Sequence, residues 1–135
     1  MFTASRVFAK IGHMQRMVVK LTSGTASPAD AERCVQAFTV AATAIAVGAN
    51  VSVWLTGDAS WFAVAGREPT PEVDGAPDLR ELRDAILAGG RLTVCTQCAR
   101  RRGIGQGELI SGAVIAGAAS FVEESLSENT QALIY

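Results

Sequence analysis

Apolar residues fall into two rhythms along the chain. Short β-branched runs, Met17–Leu21 (MVVKL), Val51–Leu55 (VSVWL) and Leu92–Val94, predict strands. Between the first two, Ser27-Pro28 with Asp30 and Glu32 reads as a helix start, carrying an N-cap, a proline at the first helical position and acids in the first turn. That helix is predicted to end at Val47, before Gly48, and from Val35 onward it is apolar nearly all round. A helix of that kind is covered on more than one face, which in so short a chain points to a second subunit.

Further along, Ala59–Ala65 (ASWFAVA) predicts a short helix. Gly66–Pro77 holds three of the four prolines and reads as a loop. Asp78 is placed to cap a helix over Leu79–Ala88, with Leu79, Leu82, Ile86 and Leu87 on one face and Arg80, Glu81, Arg83 and Asp84 on a solvated one. After Gly89-Gly90 and the third strand, Cys95 to Arg102 reads as a short helix and Gly103–Gly107 as a bend. The chain is then expected to close with a short strand over Ala113–Ile115, a helix over Ala116–Leu126 and a last strand over Ala132–Tyr135. Strands alternating with helices predict an α/β fold, a three-layer sandwich with a mostly parallel five-stranded sheet covered on both sides. The domain is expected over 17–135. Residues 1–16, with Arg6, Lys10, His13 and Arg16 and no acid, read as a flexible leader in which His13 is solvated rather than a base.

Composition narrows the function classes. A net charge of −1 over 135 residues offers no global field for nucleic acid or an anionic membrane. The longest apolar run, Ala37–Val47, is too short to span a bilayer. Met1–Met14 lacks the apolar stretch of a secretory signal, so the reducing cytoplasm is the expected setting. Of three cysteines, Cys34 is expected as a small buried residue inside the long helix. Metal is not expected, because only Cys34 and His13 remain as soft ligands beyond the Cys95/Cys98 pair, and no cofactor is called for.

The chemistry concentrates in RLTVCTQCARRRGI. Cys95 falls where a strand ends and a helix begins, so the first amides of the helix, those of Gln97 and Cys98, favour a thiolate. Cys98 lies one turn on. Arg100, Arg101 and Arg102 either tune the thiolate, if they point at it, or dock an acidic partner. Asp58, leaving the second strand, is either a ligand-edge residue or a helix N-cap. GIGQG has the composition of a phosphate loop but no P-loop lysine, and it follows a helix, so it is set aside.

Three stretches in order, MVVKLTSG to AIAVG, VSVWLTGDASW and VCTQCARRRGI, together with AVIAGAASFVEESL and ALIY, resemble the DsrE-like family of small sulfur-relay proteins, which includes the DsrE, TusD and YchN groups. The resemblance implies a YchN-like fold and homo-oligomers, trimers or hexamers. It also implies that Cys95 accepts sulfur as a persulfide from a donor protein and yields it to an acceptor. Cys98 departs from the pattern, alanine being common there, and Ala59 stands where the family often has glycine. A thiol–disulfide redox protein using Cys95 and Cys98, or a non-catalytic oligomeric binding module, are the alternatives.

Overall fold

The computed structural model describes residues 15–135, so His13 and nearly all of the expected leader lie outside the described residues. Arg16 already belongs to the first strand, β1 (Arg16–Leu21). Helix α1 (Pro28–Ala46) follows, its N-cap Ser27 accepting from the Asp30 amide at 3.1 Å. Then come β2 (Asn50–Leu55), a 3-10 segment (Gly57–Ala63), α2 (Leu79–Gly89), β3 (Arg91–Cys95) and α3 (Thr96–Arg101). The chain ends with β4 (Val114–Ala116), α4 (Ala118–Ser125) and β5 (Thr130–Ile134). All four pairings in the sheet are parallel, in the order β4-β3-β2-β1-β5.

The order explains the layers. From β1 the sheet grows one strand at a time in one direction to β4, so right-handed crossovers put α1 and α2 on one face. The connection from β4 to β5 returns across the whole sheet, and α4 therefore covers the opposite face. The α1/α2 face is the dry one. Val19, Leu21, Val51, Val53, Leu55, Leu92 and Val94 meet Ala37, Phe38, Ala41 and Ile86 there. Phe38 and Phe62 touch edge to face at 5.1 Å, and burying each ring stabilises by about 1.5–3 kcal/mol. Helix α1 buries Ala31, Cys34, Ala37, Phe38, Ala41 and Ala44, spacing that keeps one stripe on the sheet. It packs on α2 beside that stripe and leaves Gln36, Thr39, Thr43 and Ala46 outward.

The α4 face is built from polar contacts. Trp54 stacks edge-on against Phe121 at 5.5 Å, and its indole N–H donates to Glu124 Oε2 at 2.6 Å. The Ser52 hydroxyl donates to the same oxygen at 3.0 Å, and Arg91 lies 3.6 Å from the other. No residue of α4 is fully buried.

Two sequence expectations change. Arg83, placed on the solvated face of α2, is buried: its guanidinium donates to the Phe62 carbonyl at 3.1 Å and pairs with Glu68 at 3.4 Å and Asp84 at 3.0 Å. It ties α2 to the end of the 3-10 segment and to the loop that follows. The short helix expected over 59–65 is the 3-10 segment, and it begins after Thr56, not at Asp58.

Candidate functional site

The C-terminal edge of the sheet gathers the reactive side chains. Cys95 is both the last residue of β3 and the N-cap of α3. Beyond it, Ala99 and Ile104 join the core on the α1/α2 side, whereas β4, whose Ala116 is in register with Cys95, exits to α4 on the other side. Neighbouring strands whose exits diverge leave a crevice at their ends, the usual ligand edge of an open α/β sheet. Cys95 stands at that divergence.

Its surroundings favour the thiolate. Burial pushes the thiol up, but the backbone N–H groups of Cys98 and Gln97 at the start of α3, the Cys98 side chain and the charge of Lys20 outweigh it. The net result is a pKa held below the ordinary thiol value. Cys95 is half-buried and free, and so is within reach of an incoming thiol.

Behind it the loops are locked. Cys98 is buried, and its sulfur accepts from the Gly57 amide at 3.2 Å. Gly57 adopts φ +56°, and a Cβ there would stand 2.8 Å from the Thr22 carbonyl oxygen, so glycine is required on both counts. A Cβ on Gly24 would likewise stand 2.8 Å from Asp58 Cβ. The turn after β1 therefore packs directly on the turn after β2, and that turn holds Cys98 through its backbone.

The expected residues fall into two groups. Cys95, Gln97, Cys98, Asp58 and Arg102 converge. Arg102 donates through Nε and Nη2 to Asp58 Oδ1 at 3.0 and 2.9 Å and through Nη1 to the Cys98 carbonyl at 3.1 Å. Asp58 is thus a partner that anchors the α3 end, and the cap position belongs to Thr56. Arg100 and Arg101 are exposed and form no ion pair or side-chain hydrogen bond among the described residues. The GIGQG bend is closed on itself, because Glu108 Oε1 accepts from the Gly105 amide at 3.0 Å. Sequence reading missed Lys20 and Gly57. A lysine interrupting an apolar strand was the available signal for the first; nothing local marks the second. Among the described residues, no three His, Cys, Asp or Glu side chains converge as metal ligands.

Cavities of about 290 and 380 Å³ open at the other end of the strands, around Arg16, Asn50 and Arg91 and around Met17, Val40 and Ala49. Neither includes Cys95, which lies on an open edge.

The five-stranded parallel α/β fold matches known proteins. The model of the DsrE/DsrF-like family matches residues 21–130, and the chain belongs to that family. It is 33% identical over 104 residues to an uncharacterised protein of Methanocaldococcus jannaschii, covering 75% of this chain and 89% of that protein. Among solved structures it resembles the YchN protein of E. coli, with TM-score 0.67, 17% identity, and 90% and 99% of the two chains covered. A Methanobacterium thermoautotrophicum protein of unknown function gives TM-score 0.68 and 12% identity over the same shares. These two likenesses concern the fold.

Proposed function

We propose that the chain is a sulfur carrier in which Cys95 accepts sulfur as a persulfide and passes it to a partner thiol. The observation that carries this reading is a half-buried thiol at the end of β3 and the start of α3, on an open edge, with its pKa below the ordinary value. An open edge suits a donor and an acceptor that are themselves proteins. The Cys95 thiolate attacks the terminal sulfur of a donor persulfide; the Sγ–S bond forms as the donor's S–S bond breaks, and the donor leaves as thiolate. An acceptor thiolate then attacks the terminal sulfur and releases Cys95, with no net oxidation. Cys98 offers a second exit. Its thiolate attacks Cys95 Sγ, forming the Cys95–Cys98 disulfide and expelling hydrosulfide, the sulfane sulfur being reduced as the two thiols are oxidised.

Mass spectrometry after incubation with a persulfide donor tests this. One added sulfur is expected on Cys95, none on Cys95→Ser, and a longer-lived adduct on Cys98→Ser. No added sulfur on Cys95, or equal labelling of Cys95→Ser, contradicts it.

The place of Cys98, one turn beyond Cys95 in α3, supports a second reading, a thiol–disulfide redox or sensor protein. It requires a reversible Cys95–Cys98 disulfide. Self-association and a cytoplasmic setting belong to the same proposal. Val114, Val122, Leu126 and Ile134 are exposed around α4, β4 and β5, and among the described residues no helix is long and apolar enough to cross a membrane. Sedimentation is expected to show a trimer or a hexamer.

A further inference from the structure

Lys20 is one of two lysines in the chain. It stands on the α4 face of β1, in register with Trp54 of β2, whose neighbour on β3 is Thr93, two residues before Cys95. Its Nζ lies 5.1 Å from the centroid of the Phe121 ring, and that ring is braced against Trp54 at 5.5 Å. Phe121 belongs to the first half of α4, a few residues past Ala116, the register partner of Cys95. The ammonium is therefore held on an aromatic face on the side of the sheet where β4 leaves Cys95.

No carboxylate claims it. Lys20 enters no ion pair among the described residues. Glu124 is taken by Ser52, Trp54 and Arg91. Asp58 is taken by Arg102. Arg100 and Arg101 are exposed on α3, and Cys98 faces the Gly57 amide.

We propose that Lys20 is the counter-cation of the terminal sulfur when Cys95 carries a persulfide. This rests on the sulfur-carrier reading and adds to it. The terminal sulfur of a persulfide is ionised at neutral pH, and its charge sits one S–S bond, about 2 Å, beyond Sγ. The Gln97 and Cys98 amides are fixed in the backbone of α3 and cannot follow that displacement. A lysine head on a four-carbon stem follows the displaced charge, and the Phe121 face keeps it near without neutralising it.

The test compares wild type, Lys20→Met and Lys20→Arg after loading with inorganic polysulfide. In this step the Cys95 thiolate attacks one sulfur of the chain and a shorter polysulfide leaves. Cys95 persulfide occupancy and lifetime are read by mass spectrometry, and the alkylation rate of unloaded Cys95 is measured across pH. Lys20→Met is expected to lower occupancy about tenfold while slowing alkylation at neutral pH less than about threefold; Lys20→Arg is expected to restore occupancy to within about twofold, since it keeps the charge. Equal occupancy in wild type and Lys20→Met overturns the proposal and leaves the carrier reading standing. So does equal loss in Lys20→Met and Lys20→Arg, which marks Lys20 as packing for Phe121. A wild type that takes up no sulfur overturns both.

Discussion

Cys34 and Cys95 carry the same group into opposite surroundings. Cys34, fully buried in α1, points its sulfur at two carbonyl oxygens, those of Ser23 and Gly24, each at 3.3 Å. Carbonyls accept, so the sulfur must keep its proton. Burial first, and the charge of Asp30 second, push this thiol up to about 11. Cys95 is also partly buried, but it stands at the N-terminus of α3, where the Cys98 and Gln97 backbone, the Cys98 side chain and Lys20 bring its pKa down. Burial raises the pKa at both sites; at Cys34 it prevails, whereas at Cys95 the groups at the start of α3 outweigh it. The carbonyls facing Cys34 come from the turn after β1, whereas a helix N-terminus such as that at Cys95 presents backbone N–H groups.

The largest effect expected from this contrast is in stability. The folded pKa of Cys34 is raised, so the fold holds its proton more tightly than the unfolded chain does. That stabilisation is fully present below the unfolded value of 9.0 and is lost as pH rises through about 11. Between those values wild type is expected to lose about 2–3 kcal/mol more than Cys34→Ala, at roughly 1.4 kcal/mol per unit. Urea midpoints measured across that range check it, and parallel curves would count against the assignment. Next comes the loop lock. Gly57→Ala forces a side chain into a left-handed backbone and onto Thr22, with an expected cost of about 1–3 kcal/mol. Cys95 alkylation should change in the same variant, because the turn whose amide holds the Cys98 sulfur must shift.

Smaller effects sharpen the Cys95 side. Cys98→Ala removes one of the groups that lower the Cys95 pKa and is expected to slow alkylation at neutral pH about twofold to fivefold, with Cys98→Ser intermediate. Asp58→Ala breaks a pair that is mostly open to solvent, its carboxylate side chain 66% exposed. It should cost under about 1 kcal/mol in thermal denaturation. A larger loss would make the pair a main support of the site.

Much of this was legible in the chain. MVVKL, VSVWL and the run ending at Cys95 are strands because β-branched runs bounded by turn residues have few alternatives, and their alternation with helices required a parallel sheet. The strand-to-helix position of Cys95 followed directly. The weaker elements shifted by one or two residues: β4 runs over Val114–Ala116 and β5 over Thr130–Ile134, and neither carries a strong apolar run. Arg83 was not legible, because its partners are a carbonyl and a carboxylate that only the folded loop brings to it. Three consecutive arginines could not be told apart, since the choice depends on where α3 ends; Arg102 lies just beyond that end and turns back to Asp58. Lys20 required strand register. Only the order β3-β2-β1 shows that a residue on the first strand shares a face with Thr93 and Trp54.

The central claim is that position separates the reactive cysteine, at the N-terminus of α3, from the inert one, fully buried inside α1. Peptide-resolved alkylation of the native wild-type chain, followed from pH 6 to pH 10 against a denatured control, tests it most directly. Cys95 is expected to label with a midpoint below the ordinary 9.0, and at pH 8 at least about 100-fold faster than Cys34, of which about one molecule in a thousand is thiolate. Comparable native rates at the two cysteines, or a Cys95 midpoint at or above the ordinary value, would contradict it.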